Sequence, residues 1–138
     1  MRFIPAMRRL GLAVLTVMLI VSSFALFTPS AAADTYTVKL GSDKGMLVFD
    51  PPKLTVKPGD TVKWVNNKVP PHNVVFDAAK NPSKSADTAK TLSHKQLLMT
   101  PGQEVTTTFP ADAAAGDYSY YCEPHRGAGM LGKITIEG

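Results

Sequence analysis

Short apolar segments separated by turn residues recur along the sequence after residue 34. In nearly all of these segments every second residue is apolar, as in Tyr118, Tyr120 and Cys122. Successive side chains of a strand point to opposite faces of a sheet, so this alternation predicts half-buried strands. Their close spacing, with turn signals between them, predicts an all-β sandwich or barrel. The eight segments lie at residues 36–40, 47–49, 54–56, 62–64, 74–76, 105–109, 118–122 and 134–136.

Residues 77–99 interrupt this alternating pattern, because the stretch is long, polar and alanine-containing. We predict a single short helix there, over residues 85–92, with Ser85 as its N-cap. His94 lies in the polar part of the same stretch and is interpreted as a solvated side chain.

The N-terminal residues have the three parts of a secretory signal peptide: a basic start, an uncharged stretch over residues 10–30, and three alanines. We predict cleavage before Asp34, which gives a leader of residues 1–33 and a domain of residues 34–138. A permanent membrane anchor over residues 10–27 is the alternative, since that run is near the length of a membrane helix. An arginine pair in the leader leaves twin-arginine export open.

Removal of the leader changes the charge of the chain. The leader holds three of the fifteen basic residues and none of the eleven acidic ones, so residues 34–138 carry +1 against +4 for the whole sequence. No stripe of Lys and Arg with interleaved aromatics is present, which argues against nucleic acid as a partner. The 105 residues that remain are enough for one modest core.

The sequence has a single cysteine, Cys122, which therefore cannot form an internal disulfide. A leftover cysteine in an exported protein is either a small buried hydrophobe or a reactive or metal-binding thiol. Cys122 begins a C-x2-H-x4-M pattern with His125 and Met130, on one loop between two predicted strands. His72 precedes another predicted strand, and a sandwich brings the loops at one end together.

Two imidazoles, one thiolate and a weak thioether are the ligand set of a blue copper site. Thiolate and thioether favour Cu(I) and imidazoles suit Cu(II), so a cage held by the fold favours one-electron transfer with little movement. A structural zinc site is the main alternative, but zinc sites seldom use methionine and usually contain further cysteines or histidines.

The proposed ligands also separate three classes of function. Four protein ligands leave no open position for a substrate, so we predict an electron carrier and not an enzyme. A metal-storage or metal-delivery protein would need an exposed, exchangeable site. A multicopper enzyme would need more histidines than the three in this sequence.

The chain resembles the plastocyanins from residue 36 to residue 136. The resemblance is carried by Asn66-Asn67, by PHNVVFD at residues 71–77 and by YCEPHRGAGMLGK at residues 121–133. Pseudoazurin-like proteins share C-x2-H-x4-M and are the nearest competitor. Amicyanin-like proteins have a shorter gap before the methionine, and azurin-like proteins a longer gap between cysteine and histidine.

The resemblance implies an eight-stranded Greek-key β-sandwich that binds one copper ion, cycling between Cu(I) and Cu(II). It also implies a monomeric carrier, peripheral to the thylakoid membrane in the thylakoid lumen. Its partners would be cytochrome f of the cytochrome b6f complex and photosystem I, in transient complexes. By family match, Asn73 ties the two ligand loops together, and Pro71 and Pro124 stand next to ligands. The implied copper ligands are His72, Cys122, His125 and Met130.

Two contact surfaces follow from the same resemblance. The imidazole edge of His125 is expected in a small apolar patch, which suits weak, fast-dissociating redox encounters. Tyr121 is expected to face away from Cys122 and to mark a second contact region. The apolar patch would comprise Leu47, Val69, Pro70, Pro71, Gly127 and Ala128.

The charge pattern departs from that of plant plastocyanins, which carry acidic patches in the stretch corresponding to residues 77–99. Here that stretch holds two aspartates and four lysines. Arg126, beside His125, predicts a partner with a negative docking face. The lysines, Arg126 and the bacterial-style leader together indicate a cyanobacterial protein.

Overall fold

The structure is a computed structural model that describes residues 32–138. The predicted leader and the alternative membrane anchor lie outside the described residues, apart from Ala32 and Ala33. Over residues 32–138, no helix has the length and apolar character needed to cross a membrane.

Within residues 32–138, nine strands form two sheets, with one short α-helix and one 3₁₀ helix beside them. The four-stranded sheet has the order β2-β1-β4-β7, and the five-stranded sheet the order β3-β9-β8-β5-β6. The pairs β1–β4 and β3–β9 are parallel, and the other pairs are antiparallel. The elements are β1 (Thr35–Leu40), β2 (Phe49–Asp50), β3 (Lys53–Val56), β4 (Thr61–Asn66), β5 (His72–Phe76), α1 (Ala86–Leu92), β6 (His94–Leu98), β7 (Glu104–Thr108), β8 (Gly116–Tyr121), the 3₁₀ helix (Glu123–Ala128) and β9 (Leu131–Ile136).

The core between the sheets is built on aromatic rings. Trp64 and Phe49 meet the ring of Tyr120 edge-on, with centroids 4.9 and 4.7 Å away. Such edge-to-face pairs add to the stabilisation that burial of the rings provides. The indole N–H of Trp64 donates to Thr107 Oγ1 at 2.9 Å, so the polar edge of this large side chain is satisfied. The alternating pattern of the sequence therefore packs as predicted.

The predicted sandwich and short helix are confirmed, and two details differ. The helix α1 begins after Ser85, whose hydroxyl accepts the N–H of Thr88, as expected of an N-cap. Residues 94–98 form a ninth strand that the pattern did not predict. His94 is half-buried with its Nε2 3.1 Å from Thr107 Oγ1, so the interpretation as a solvated side chain was wrong.

The hydroxyl of Tyr120 offers a test of the core. It is buried, and no described residue accepts or donates a hydrogen bond to it. A buried polar group without a partner costs roughly 1–3 kcal/mol. We therefore expect Tyr120→Phe to leave the free energy of unfolding unchanged or to raise it by about 1 kcal/mol, measured by urea denaturation. Tyr118→Phe is the matched control, because Tyr118 Oη donates to Ala114 O at 2.8 Å, and it should lose about 1 kcal/mol. Equal losses in both variants would contradict the prediction.

Candidate metal centre

Three metal-capable side chains converge at one end of the sandwich. His72 begins β5, Cys122 follows the last residue of β8, and His125 lies in the 3₁₀ helix. Their ligand atoms all lie within 4.8 Å of one another. Cys122 Sγ is 3.7 Å from His72 Nδ1 and 3.6 Å from His125 Nδ1, and the two Nδ1 atoms are 3.2 Å apart. The topology thus joins residues that are 50 positions apart in the sequence.

The ring of His72 is oriented by a backbone carbonyl. His72 Nε2 lies 2.6 Å from Lys68 O, and a carbonyl oxygen can only accept, so Nε2 carries the proton. The lone pair of Nδ1 then faces Cys122, as a metal ligand requires. Gly41 permits this contact, because a Cβ at its φ of +83° would collide with Lys68 O and approach His72 Nε2 to 3.1 Å.

Burial sets the protonation of two of these groups. It lowers the pKa of His72, with His125 adding to the effect and the carbonyl of Lys68 opposing it. It raises the pKa of the Cys122 thiol, while hydrogen bonds from the backbone of Asn73 and His125 oppose the rise. A bound cation would reverse the second effect, since a coordinating thiol is deprotonated.

The loop from Cys122 to Met130 closes on itself through its backbone. Cys122 N–H donates to Met130 O at 3.1 Å, and Met130 N–H donates to His125 O at 3.2 Å. Gly129 ends the 3₁₀ helix at φ +84°, a conformation that suits glycine. The side chain of Met130 is fully buried. The loop therefore holds its cysteine, histidine and methionine in a fixed relation.

Asn73 connects this loop to β5. Its side chain is buried, and its Oδ1 accepts the N–H of Glu123 at 2.8 Å. Its Nδ2 donates to Glu123 Oε2 and to Lys95 O, each at 3.0 Å. Three of these contacts were not predicted: that of Asn73 with the Glu123 carboxylate, that of Asn73 with the Lys95 carbonyl, and that of His72 with the Lys68 carbonyl. Nothing in the sequence pattern points to these groups.

The donor set fits copper. Two imidazole nitrogens, at least one with its lone pair turned inward, lie within a few ångströms of a buried sulfur. Imidazole and thiolate are the donors that copper takes in its electron-transfer sites. The single cysteine and the buried methionine speak against a structural zinc site, which usually has more cysteines or histidines.

The comparisons with known proteins agree with this geometry. Residues 36–137 match the family model of copper-binding proteins of the plastocyanin/azurin family. The chain therefore belongs to the plastocyanin/azurin family. It is 72% identical to a plastocyanin of Nostoc punctiforme over 139 residues, with all of both chains covered. It is 54% identical to a plastocyanin of a Synechococcus species, over 95% of this chain and 94% of that one.

Solved structures of this family share the fold. An oxidised plastocyanin from Dryopteris crassirhizoma is 30% identical, with a TM-score of 0.62, over 73% of this chain and 99% of that one. A pseudoazurin from Methylobacterium extorquens is 28% identical, with a TM-score of 0.53, over 75% of each chain. As a plastocyanin/azurin family member with this cluster, the protein is a blue copper electron carrier whose cofactor is copper.

His125 is partly exposed, and so are the residues that are expected to form an apolar patch around it. Val69 is 48% exposed, Gly127 and Ala128 are exposed, and Leu47, Pro70 and Pro71 are partly exposed. Met46, next to Leu47 in the sequence, is 57% exposed and was not among the residues predicted for this patch.

A polar cluster lies beside Tyr121, which is partly exposed as predicted. The guanidinium of Arg126 stacks over the Tyr121 ring, 3.9 Å from its centroid, and approaches Asp77 Oδ2 at 3.9 Å. Lys90 and Lys95 border the groove next to these residues. The cluster is thus mostly cationic, with one carboxylate that restrains Arg126.

Proposed function

We propose that the protein carries single electrons from cytochrome f of the cytochrome b6f complex to photosystem I. In this proposal it works as a monomer in the thylakoid lumen, after export and removal of residues 1–33. The convergence of the buried His72 and Cys122 with the partly exposed His125 is the main observation behind the proposal. The likeness to two cyanobacterial plastocyanins supports it.

In this proposal His72, Cys122, His125 and Met130 hold the copper. Bound copper supplies one-electron chemistry by alternating between Cu(II) and Cu(I). The residues supply the rest: the carbonyl of Lys68 fixes the tautomer of His72, and Asn73 fixes the loop that contains Cys122. Pro71 and Pro124 restrict the backbone next to His72 and His125.

Electrons would enter and leave through the surface around His125. That surface is small and apolar, which suits partners that must dissociate quickly. The second contact region would be Tyr121 with Arg126, and its cationic border favours a negative docking face on the partner. Charge then steers the encounter, while the apolar surface makes the contact.

Laser-flash kinetics with isolated photosystem I test the proposal directly. Copper-loaded residues 34–138 in the reduced state should re-reduce the flash-oxidised reaction centre, at a rate that rises with protein concentration. Reduced cytochrome f should in turn reduce the oxidised protein in stopped flow. A protein that is redox-active but transfers no electrons with either partner would overturn the proposed partners and leave the copper site standing.

Arg126→Glu should slow electron transfer to photosystem I at least tenfold at low salt and leave the copper spectrum intact. The side chain is 54% exposed, so the change reverses a surface charge next to His125 without disturbing the core. The difference from the unmodified protein should shrink as salt screens the charges. The matched control is Lys57→Glu, the same change in charge on an exposed residue at the other end of the sandwich. Equal rates at low salt for Arg126→Glu and the unmodified protein would contradict the prediction.

A further inference from the structure

The first strand begins against a buried carboxylate. Asp60, directly before β4, is 2% exposed. Its Oδ1 accepts the backbone N–H of Asp34 at 2.9 Å, and its Oδ2 accepts the backbone N–H of Lys57 at 2.8 Å. These hydrogen bonds lower the pKa of Asp60 against the opposing effect of burial, so the group is ionised at neutral pH.

Both partners of this contact are fixed by the backbone. Asp60 N–H donates to Lys57 O at 3.1 Å, and Asp60 O accepts the N–H of Phe109 at 2.9 Å. Asp34 O accepts the N–H of Thr61 at 2.9 Å, one position before the first pair of the parallel β1–β4 ladder. The nitrogen of Asp34 is therefore held at the carboxylate, whatever precedes it.

We propose that removal of the leader converts this hydrogen bond into an ion pair between a new N-terminus and Asp60. Hydrolysis of the Ala33–Asp34 peptide bond by a leader peptidase consumes one water and leaves a carboxylate on Ala33. The nitrogen of Asp34 becomes an amine, which takes up a proton at neutral pH. The inference rests on the leader removal proposed above. It predicts that a mature protein beginning at Asp34 forms the ion pair with Asp60.

A start at a neighbouring residue would not place a charge at Asp60. An N-terminal Ala33 would keep an amide at Asp34 and carry its ammonium one residue further away, about 3.3 Å along the strand. An N-terminal Thr35 would remove the donor altogether. The geometry therefore distinguishes Asp34 from both neighbours.

The charges around the new N-terminus favour a cation there. Burial raises the pKa of Tyr36, and the negative charges of Asp60, Asp34 and Glu137 raise it further, so these three carboxylates act on the same region. Lys57 is the cation that acts on Asp60. Before cleavage, these groups together are net negative, and an added ammonium brings the site closer to neutrality.

The ion pair has a defined pH window. An amine that gains a carboxylate partner has a pKa above its ordinary value of about 8, so its contribution is complete below that value. The contribution is lost as pH rises through the raised pKa. At the acid end, the folded structure lowers the pKa of Asp60. The contribution of the Asp60 carboxylate to stability is therefore complete above its pKa in the unfolded chain, about 3.9, and is lost as pH falls through its pKa in the folded protein.

Two measurements test the inference. The intact mass of the exported protein should correspond to residues 34–138 with an unmodified amine. NMR titration of the Asp34 α-amine in the diamagnetic Cu(I) protein should give a pKa about one unit above the ordinary value, a tenfold higher proton affinity. A different N-terminus, or an ordinary pKa in residues 34–138, would overturn the proposal.

Two variants assign the shift to Asp60. In Asp60→Asn the α-amine should titrate at its ordinary value, and a shift that survives this change would overturn the proposal. Because Asp60→Asn can impair folding, residues 33–138 serve as a second variant, which keeps Asp60 and moves the amine to Ala33. Its α-amine should titrate normally, and an equal shift there would also overturn the proposal. The copper spectrum and the electron-transfer rates of residues 33–138 should match those of residues 34–138. The ion pair can therefore be refuted without refuting the proposed function, and the reverse also holds.

Discussion

Replacing Cys122 by serine should abolish the intense blue absorption of the copper-loaded protein and its reversible one-electron redox behaviour. The blue band of such sites arises from charge transfer between thiolate and copper, and Cys122 is the only cysteine in the sequence. Its sulfur lies 3.6–3.7 Å from both imidazole nitrogens of the cluster, so no other sulfur-based anion can replace it. Visible spectroscopy and voltammetry of residues 34–138 with Cu(II) would measure the loss.

The control for this experiment is the third histidine. His94 lies outside the cluster and contacts Thr107, so His94→Gln should keep the blue band even if stability falls. A Cys122→Ser protein that stays blue would contradict the assignment of the thiolate. A colourless unmodified protein would mean that the four proposed ligands do not hold copper together.

Most strands of this fold are predictable from the sequence because one face of each is buried. Alternation is visible in β4, where Val62, Trp64 and Asn66 are buried and their neighbours are not. The strand β6 does not show this alternation, because it lies at the edge of its sheet and only Leu98 is buried. Strand β5 departs in the other direction: all five of its residues are buried, since α1 contacts the strand and β6 pairs along its edge.

The metal site is predictable from the sequence only where its residues are of types that bind metals. Cysteine, histidine and methionine are rare enough in this chain for their spacing to point to one loop. The groups that orient them are backbone atoms or common residues whose position depends on the fold. The carbonyl of Lys68 becomes a partner of His72 only through the turn between β4 and β5. Gly41 matters because β1 ends beside that turn, 31 positions before His72 in the sequence.

Removing the side chain of Asn73 should cost stability and alter the copper site together. In Asn73→Ala the N–H of Glu123 and the carbonyl of Lys95 lose a buried partner, for which we expect a loss of about 2–4 kcal/mol in the free energy of unfolding. The backbone of Asn73 also donates to the Cys122 sulfur, and a looser loop weakens that hydrogen bond. Hydrogen bonding around the sulfur tunes the potential of blue copper sites. A weaker bond leaves the thiolate a better donor to Cu(II), so the reduction potential should fall and the blue band should shift.

Asn81→Ala separates the two effects. Asn81 is buried to a similar degree, and its side chain also makes several hydrogen bonds, to Ser83, Ser85 and the backbone before them. It lies in the turn before α1, away from the metal cluster, so its loss should lower the free energy of unfolding without moving the potential or the band. If both variants lose stability but neither shifts the reduction potential, Asn73 stabilises the fold and has no effect on the copper site. If only Asn73→Ala shifts it, the hydrogen bonds from β5 to Glu123 set the environment of the Cys122 sulfur.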